Sequence, residues 1–340
     1  MALKHAVVVA GAVLGMAATA TVRAEIDRAS LIGLAPSVLK IEAVDAAGRF
    51  QLGSGVIVAP GKVVTNCHVT RNAKRVQVVK GGARWAASLQ AADMKRDLCV
   101  LQVPSIDGPP VPIARASSLK MGQSVLAIGY TGGVGLQLSE GGVVALHRWS
   151  GGQIVQSSNW FSSGASGGGL FNADGALVGI LTFRLRGGAN HYFAAPSDWV
   201  LGLLDNAPSY DAVAPLPGES FWEGPLDNQP LFLQAAALEQ RQRWPALAQL
   251  AERWGLEDSG DAEPAYLLGV ARDGLQQADA AIAAFKRSLD LDPTYGRSWA
   301  RLAQIYKRLG LPAEARQAAA RLSALDPTQG RELAAELEKP

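Results

Sequence analysis

The chain has 340 residues, with 32 basic and 30 acidic side chains and only four histidines and two cysteines. No basic stripe or run marks a nucleic-acid partner. Two cysteines cannot supply a disulfide-dense scaffold, and without a spare histidine beside them they lack the ligands of a tetrahedral metal site. The length exceeds one ordinary domain.

Residues 1–24 have the pattern of a targeting segment. Lys4 gives a positive start, residues 6–22 are apolar but built mainly from Ala, Val and Gly, and Val22-Arg23-Ala24 is a small-x-small cleavage site. The mature chain is expected to begin at Glu25, and losing Lys4 and Arg23 takes the formal charge from +2 to zero. The alternative is an uncleaved anchor, but the segment is short and weakly hydrophobic beside a spanning helix of about 20 residues. No stable membrane span is expected after cleavage.

Residues 25–205 carry short apolar runs separated by turn signals, the pattern of an all-β domain. Val56-Ile57-Val58 and Val63-Val64-Thr65 flank the turn Ala59-Pro60-Gly61-Lys62. Leu170-Phe171 and Ala176–Leu181 flank Asn172-Ala173-Asp174-Gly175, rich in residues that tolerate positive φ. Val125–Ile128, Val143–Leu146 and Ile154-Val155 complete the strand set. Residues 206–230 form a Pro/Gly-rich linker, interrupted by Pro208, Pro215, Pro217, Pro225 and Pro230. Phe221-Trp222 within it is expected to dock on a flanking domain.

From residue 231 to 340 the periodicity becomes helical. A 34-residue repeat aligns Leu268-Gly269, Ala281, Phe285 and Pro293 with Leu302-Ala303, Ala315, Ala319 and Pro327. Its clearest copies are 262–295 and 296–329, and a degenerate helix pair at 230–256 precedes them, with Trp244 and Trp254 in its core. Trp299, Leu302, Tyr306, Ala315 and Pro327 resemble the tetratricopeptide pattern of large and small residues on paired helices. Trp299 and Tyr306 are expected mainly in the packing core. Such repeats imply a short solenoid for a substrate, a partner protein or self-association.

Three contexts carry the chemistry: Thr65-Asn66-Cys67-His68-Val69, Arg96-Asp97-Leu98-Cys99-Val100-Leu101, and Gly164-Ala165-Ser166-Gly167-Gly168, with the three functional residues 29 and 69 positions apart. Acyl transfer to water needs a nucleophile, a base for its proton and a carboxylate that holds the base in one tautomer. It also needs backbone N–H groups aimed at the developing oxyanion, which glycines around a serine can expose. Candidate roles follow: Ser166 as nucleophile, His68 as base, Asp97 as orienter, and the amides of Gly164 and Ser166 as oxyanion hole. His147 and His191 sit in contexts with neither nucleophile nor metal spacing and are expected at the surface or hydrogen-bonded. His5 leaves with the targeting segment.

Over roughly residues 36–205 these motifs resemble the trypsin/chymotrypsin superfamily, and within it the bacterial Deg/HtrA-like branch. Gly53–Val58 resembles the strand entering the His loop, Asp97–Leu101 the Asp strand, Gly164–Leu170 the nucleophile loop, Leu177–Thr182 the strand that pairs with substrate, and Phe193–Ser197 the exit into a closing helix. The resemblance implies a chymotrypsin-like double β-barrel with the triad between barrels, followed by the all-α repeat domain. It implies no cofactor, and a protein or peptide as substrate. Thr182, Phe183 and Arg184 then line the substrate cleft, and with Phe183-Arg184 in place of a small residue the primary pocket is narrowed or meets acidic groups. No acidic residue lies in Ser157–Ser163, so a Lys or Arg preference is not expected. Ala165 stands where Asp or Asn is usual, so activation through a new N-terminal amine is not expected either.

A triad of this kind places Cys67 and Cys99 close together, and an exported chain meets an oxidising compartment. A disulfide between them is the favoured expectation, with two buried free thiols as the alternative. The function expected is that of an exported, periplasmic or secreted serine endopeptidase. The alternative is a non-catalytic interaction scaffold with a relic protease fold. The barrels carry their own core and every candidate catalytic residue, so residues 25–210 are expected to be competent alone.

Overall fold

The computed structural model describes residues 33–132, 135–185, 192–206 and 209–339. The targeting segment and His191 lie outside the described residues.

The first β unit contains β1 (Val38–Val44), β2 (Phe50–Ala59), β3 (Lys62–Thr65), β4 (Arg75–Lys80), β5 (Ala83–Ala86), β6 (Leu89–Asp93) and β7 (Leu98–Gln102). The second contains β8 (Ser124–Thr131), β9 (Gly135–Trp149), β10 (Gly152–Ser157), β11 (Gly169–Asn172), β12 (Leu177–Arg184) and β13 (Tyr192–Pro196). A two-residue strand, β14 (Asp211–Ala212), returns to the first unit. That unit is an eight-stranded antiparallel sheet in the order β14-β6-β7-β3-β2-β1-β4-β5, and the second closes as β10-β13-β12-β11-β8-β9. The closed unit has no free edge; the first leaves β5 and the short β14 as edges, so it is the more open of the two.

The strands form where the apolar runs stand. Leu98–Leu101 of β7 and Leu177–Phe183 of β12 are buried on both faces, which is why they lack alternation. Ala59 pairs with Lys62 around Pro60-Gly61, and Gly61 takes φ +70°. In the β11–β12 turn the Asn172 side chain accepts from the N–H groups of Asp174 and Ala176, while Gly175 takes φ +76°. Long β9 bends at Gly141-Gly142: it pairs with β8 up to Gly142 and with β10 from Val143. Asn159 occupies the corner, where a Cβ on Gly141 would stand 2.8 Å from its amide nitrogen.

Each unit has its own core, Leu39, Ile41, Ile57, Val78 and Leu101 in the first and Val125, Val143, Leu170 and Leu181 in the second. A third cluster runs from the face between the units, through Phe193 and Phe221, into the helical region at Phe232 and Leu247. Helix α1 (Cys67–Thr70) is a single turn in the His loop, and α2 (Ser197–Asp205) closes the second unit.

The helical region is a stack of pairs: α3 (Leu231–Gln240) with α4 (Trp244–Glu257), α5 (Ala262–Gly274) with α6 (Ala278–Leu291), α7 (Gly296–Arg308) with α8 (Pro312–Leu325), then α9 (Pro327–Leu337). A Cβ at Gly269 would stand 2.6 Å from the Phe285 ring, which explains a large residue facing a small one within a repeat. Trp254 is buried; Trp244, Trp299 and Tyr306 are half-buried and pack on the core edge rather than inside it.

Two placements give detail that the sequence left open: where the linker docks, and that the hydrogen-bonded His147 is buried rather than at the surface. Residues 209–230 hold only the two-residue β14 and a 3-10 turn at Leu226–Asn228, and they run as a strap along the first unit: β14 pairs with β6, Leu216 N–H donates to Arg71 O (2.7 Å), and Phe221 N–H donates to Lys95 O (3.1 Å). His147 is buried at the seam between the second unit and the helices. Its Nδ1 lies 2.8 Å from Glu263 Oε1 on α5, its Nε2 2.9 Å from Gln156 Oε1, and its ring stacks on Phe232 at 4.3 Å.

Candidate active site

Asp97 ends the turn between β6 and β7 and is fully buried at φ +60°, a left-handed conformation that Asp tolerates better than most residues. Its main-chain carbonyl accepts from Cys67 N (3.3 Å) and Asn66 Nδ2 (2.9 Å). Its carboxylate Oδ1 accepts from His68 N–H (2.8 Å), and Oδ2 stands 2.6 Å from His68 Nδ1. The imidazole is thus held by its own backbone and its own ring against one carboxylate. Cys67 and Cys99, the immediate neighbours, are bonded as a disulfide with Cα atoms 5.0 Å apart, tying α1 to β7.

Ser166 lies on the loop entering β11. Ser54 of β2 clamps that loop: its N–H donates to Ser166 O (2.7 Å), its hydroxyl donates to Gly164 O (2.8 Å), and the same hydroxyl accepts from Tyr130 N–H (2.8 Å). Thr65 Oγ1 donates to Ser54 O (2.7 Å) from the His-loop side. Gly167 takes φ +88°, and a Cβ there would collide with the Ser54 carbonyl, so no other residue fits. Gly167 N–H donates to Leu181 O and Gly168 N–H to Ala165 O, both at 2.8 Å. Among the described residues the amides of Gly164 and Ser166 have no acceptor, which leaves two adjacent donors for an incoming oxyanion. Ser166 Oγ donates to Thr182 O at 3.1 Å, and His68 Nε2 has no hydrogen-bond partner among the described residues.

The three residues expected to line the cleft differ in kind. Thr182 is buried, and its hydroxyl accepts from Asn66 Nδ2 and Ala195 N–H and donates to Ile180 O, so that hydroxyl is spent on the scaffold. Phe183 is buried between Phe193 (4.7 Å) and Trp222 (5.2 Å), both stacked on it. Arg184 is exposed at the end of β12. On the other side of His68 a cavity of about 310 Å³ opens, lined by Asp45, Arg49, Gln51 and Asn72, with Phe50 67% exposed at its rim. No group of three or more potential metal ligands occurs among the described residues.

A family model for a trypsin-like peptidase domain matches residues 53–180, and one for a tetratricopeptide repeat matches residues 274–337. Serine protease HTRA4 of Mus musculus is 33% identical over 165 residues, 45% of this chain and 34% of that protein. A probable periplasmic DegP-like serine endoprotease of Halomonas elongata is 33% identical over 166 residues, 46% of this chain and 35% of that one. The chain spans about a third of the length of these curated relatives.

Residues 53–180 are thus similar to trypsin-like peptidase domains and residues 274–337 to tetratricopeptide repeats, with HtrA and DegP-like proteases among the relatives. Among solved structures, the active form of a protease from M. tuberculosis superimposes with a TM-score of 0.51 at 24% identity, covering 57% of this chain and 89% of that one, which speaks for the fold alone.

Around His68, Asp97 and Ser166 stand further residues that the sequence left without a role. Asn66 and Ser54 lie inside the quoted motifs, in Thr65-Asn66-Cys67 and Gly53-Ser54-Gly55, but nothing in those contexts assigns them one. Trp222 docks on a flanking domain, as expected, its indole Nε1 donating to Asp97 Oδ2 at 3.0 Å across 125 residues of sequence, a role the sequence did not show.

Proposed function

We propose that the protein is an exported serine endopeptidase that hydrolyses peptide bonds in proteins with His68, Asp97 and Ser166. Ser166 Oγ attacks the scissile carbonyl. His68 takes the proton and returns it to the leaving amine, and Asp97 holds the imidazole. The amides of Gly164 and Ser166 receive the oxyanion. The substrate backbone lies along Thr182–Arg184, where main-chain groups rather than the Thr182 hydroxyl or the Phe183 ring meet it. The observation that carries this reading is the fully buried Asp97 carboxylate locked on His68 at 2.6 Å, facing a nucleophile loop with two unspent amides. The reading requires the Ser166 hydroxyl to leave the Thr182 carbonyl for His68 Nε2, a rotation between staggered side-chain wells.

Export is supported by the targeting segment and by the periplasmic DegP-like relatives. No helix among the described residues is long and apolar enough to cross a membrane. The domain divisions proposed are a removable segment to residue 24, the peptidase domain to 205, the strap from 206 to 230 and the repeats from 231. The repeats serve protein recognition, of a substrate, a partner or a second copy.

The test is a fluorophosphonate probe together with casein digestion. The parent should label at one serine, and Ser166→Ala should lose labelling and lower turnover by about three orders of magnitude or more with the fold intact. Equal digestion of unfolded casein by the parent and Ser166→Ala would sink the assignment and favour the scaffold reading.

A further inference from the structure

Trp222 belongs to the strap, not to either barrel, yet it reaches the most buried carboxylate of the site. Asp97 Oδ1 is taken by the His68 main chain; Oδ2 receives both His68 Nδ1 at 2.6 Å and the Trp222 indole N–H at 3.0 Å. The same indole meets the His68 ring edge-on at 5.3 Å, with planes at 88°, and stacks on Phe183 at 5.2 Å. One side chain therefore fixes the carboxylate by a charge-assisted hydrogen bond and limits the tilt of the imidazole by contact.

The strap is anchored on both sides of this indole. Before it, Phe221 packs on Trp149 at 4.6 Å, and its N–H is held by Lys95 O. After it, Glu223 pairs with Arg71 of the His loop at 2.5 Å. Beyond that, Gln229 Nε2 donates to Trp222 O (3.0 Å), and Gln234 Nε2 on α3 donates to Gln229 O (2.8 Å). An unbroken run of hydrogen bonds thus leads from the Asp97 carboxylate to the first helix of the repeat region. Of the other charged groups nearby, Arg96 donates to Ser150, the Lys95 ammonium lies over the Trp149 ring, and Asp45 and Arg49, paired with each other at 2.7 Å, line the cavity on the other side of His68.

We propose that Trp222 is a positioning residue of the triad, supplied by the segment that joins the peptidase domain to the repeats. This rests on the reading of His68, Asp97 and Ser166 given above. It has a direct consequence for truncation. A chain ending at residue 210 keeps every triad residue but loses the donor to Asp97 Oδ2, whereas one ending at residue 230 keeps it.

Trp222→Phe tests the donor, because it keeps an aromatic face for Phe183 and His68 and removes only the N–H. Hydrolysis of an activated ester by the full chain is followed across pH, alongside Ser166→Ala. A carboxylate that loses a donor holds a protonated imidazole more strongly, so the acid limb of the pH–rate profile should move to higher pH. One hydrogen bond to a charged group should lower kcat about tenfold while KM stays within about twofold. The thermal midpoint should stay close to the parent's. Glu223→Gln, which loosens the strap without touching the indole, should move kcat and the acid limb the same way by less.

An active parent, a dead Ser166→Ala and a Trp222→Phe enzyme with the parent's kcat and acid limb would overturn this inference alone. A parent that shows no Ser166-dependent labelling or hydrolysis would remove the reading of the site, and this inference with it.

Discussion

Two regions bury ionisable groups, and they do so by opposite means. Around His68 and Asp97 a disulfide ties the His loop to the Asp strand, and the buried carboxylate accepts from the His68 main chain, the His68 ring and the Trp222 indole. At the seam between the second barrel and the repeats there is no covalent tie among the described residues. There His147 bridges Glu263 and Gln156, while Asp261, 8% exposed, caps α5 through one oxygen and leaves the other buried without a partner. Burial pushes Asp261 up to about 6; the hydrogen bond it accepts from the Glu263 main-chain N–H draws it back, and the Glu263 charge adds a smaller rise. The first region satisfies its buried charge; the second leaves part of it opposed to burial. A preorganised site needs the first arrangement, whereas a seam between domains tolerates the second.

The comparison is tested most severely at the covalent tie. The disulfide spans 32 positions, and in the chain-entropy model a loop of that size stabilises by about 3–4 kcal/mol. Cys67→Ala with Cys99→Ala should cost that much in urea unfolding and reduce ester turnover as well. A loss below about 1 kcal/mol would show that packing of α1 on β7, not the tie, holds this half. Alkylation of the parent from its oxidising compartment should find no free thiol.

At the seam, His147→Phe keeps a ring to stack on Phe232 but removes the partner of Glu263. A buried carboxylate deprived of its donor costs about 2–3 kcal/mol, so the repeats should detach at lower denaturant than the barrels. Limited proteolysis should then cut between the two. A single transition with the parent's midpoint would mean that the apolar contact through Phe232 carries the seam by itself.

Much of this was legible in the sequence, and the reason differs by region. The barrel strands, the glycine-framed serine, the His and Asp contexts and the 34-residue repeat are local patterns, each readable within a few residues of itself. The cysteine pair followed from the neighbours of His68 and Asp97. The strap was half legible: the docking of Phe221-Trp222 was expected, but not where it docks, since its attachments pair residue 71 with 223 and 97 with 222. Contacts at that separation leave no periodicity. His147 was hidden likewise, since its partner Glu263 lies 116 residues away on a helix whose face toward the barrel no local pattern marks. The candidate cleft residues were only half legible: position along β12 was readable, but not that Phe183 is enclosed between Phe193 and Trp222.

Asp261 gives a pH signature that the His68–Asp97 half should lack. A carboxyl raised from 3.8 to about 6 binds its proton more tightly in the folded state than in the unfolded one. Its contribution to stability is therefore fully present below the unfolded value and is lost as pH rises through about 6. The seam should weaken between about pH 4 and 6, by an amount on the order of 2 kcal/mol. Asp261→Asn keeps an acceptor for Glu263 N–H and removes the charge, so its stability should be flat across that window. An equal slope in both proteins would place the pH dependence elsewhere.

The smallest effect belongs to the exposed pair that crosses the same seam, Arg148 with Asp258 at 3.5 Å and side chains 53% and 40% exposed. An ion pair in that setting is screened by water and salt and must hold two mobile side chains, so Arg148→Ala should change stability by no more than about 0.5 kcal/mol. Its second consequence is more telling. Arg148 is among the groups that draw Asp261 back down against the dominant push of burial. Without it, the Asp261 carboxyl should ionise at higher pH, so the loss of seam stability should begin at the same pH but run on to higher pH and grow larger. The variant should thus stay close to the parent near pH 4, where Asp261 is protonated in both folded forms, and fall below it as pH rises past about 6, a difference that then persists. A loss above 1 kcal/mol at pH 4 that survives high salt would show that surface charge, and not burial of the Asp261–Glu263 group, sets how the repeats sit on the peptidase domain.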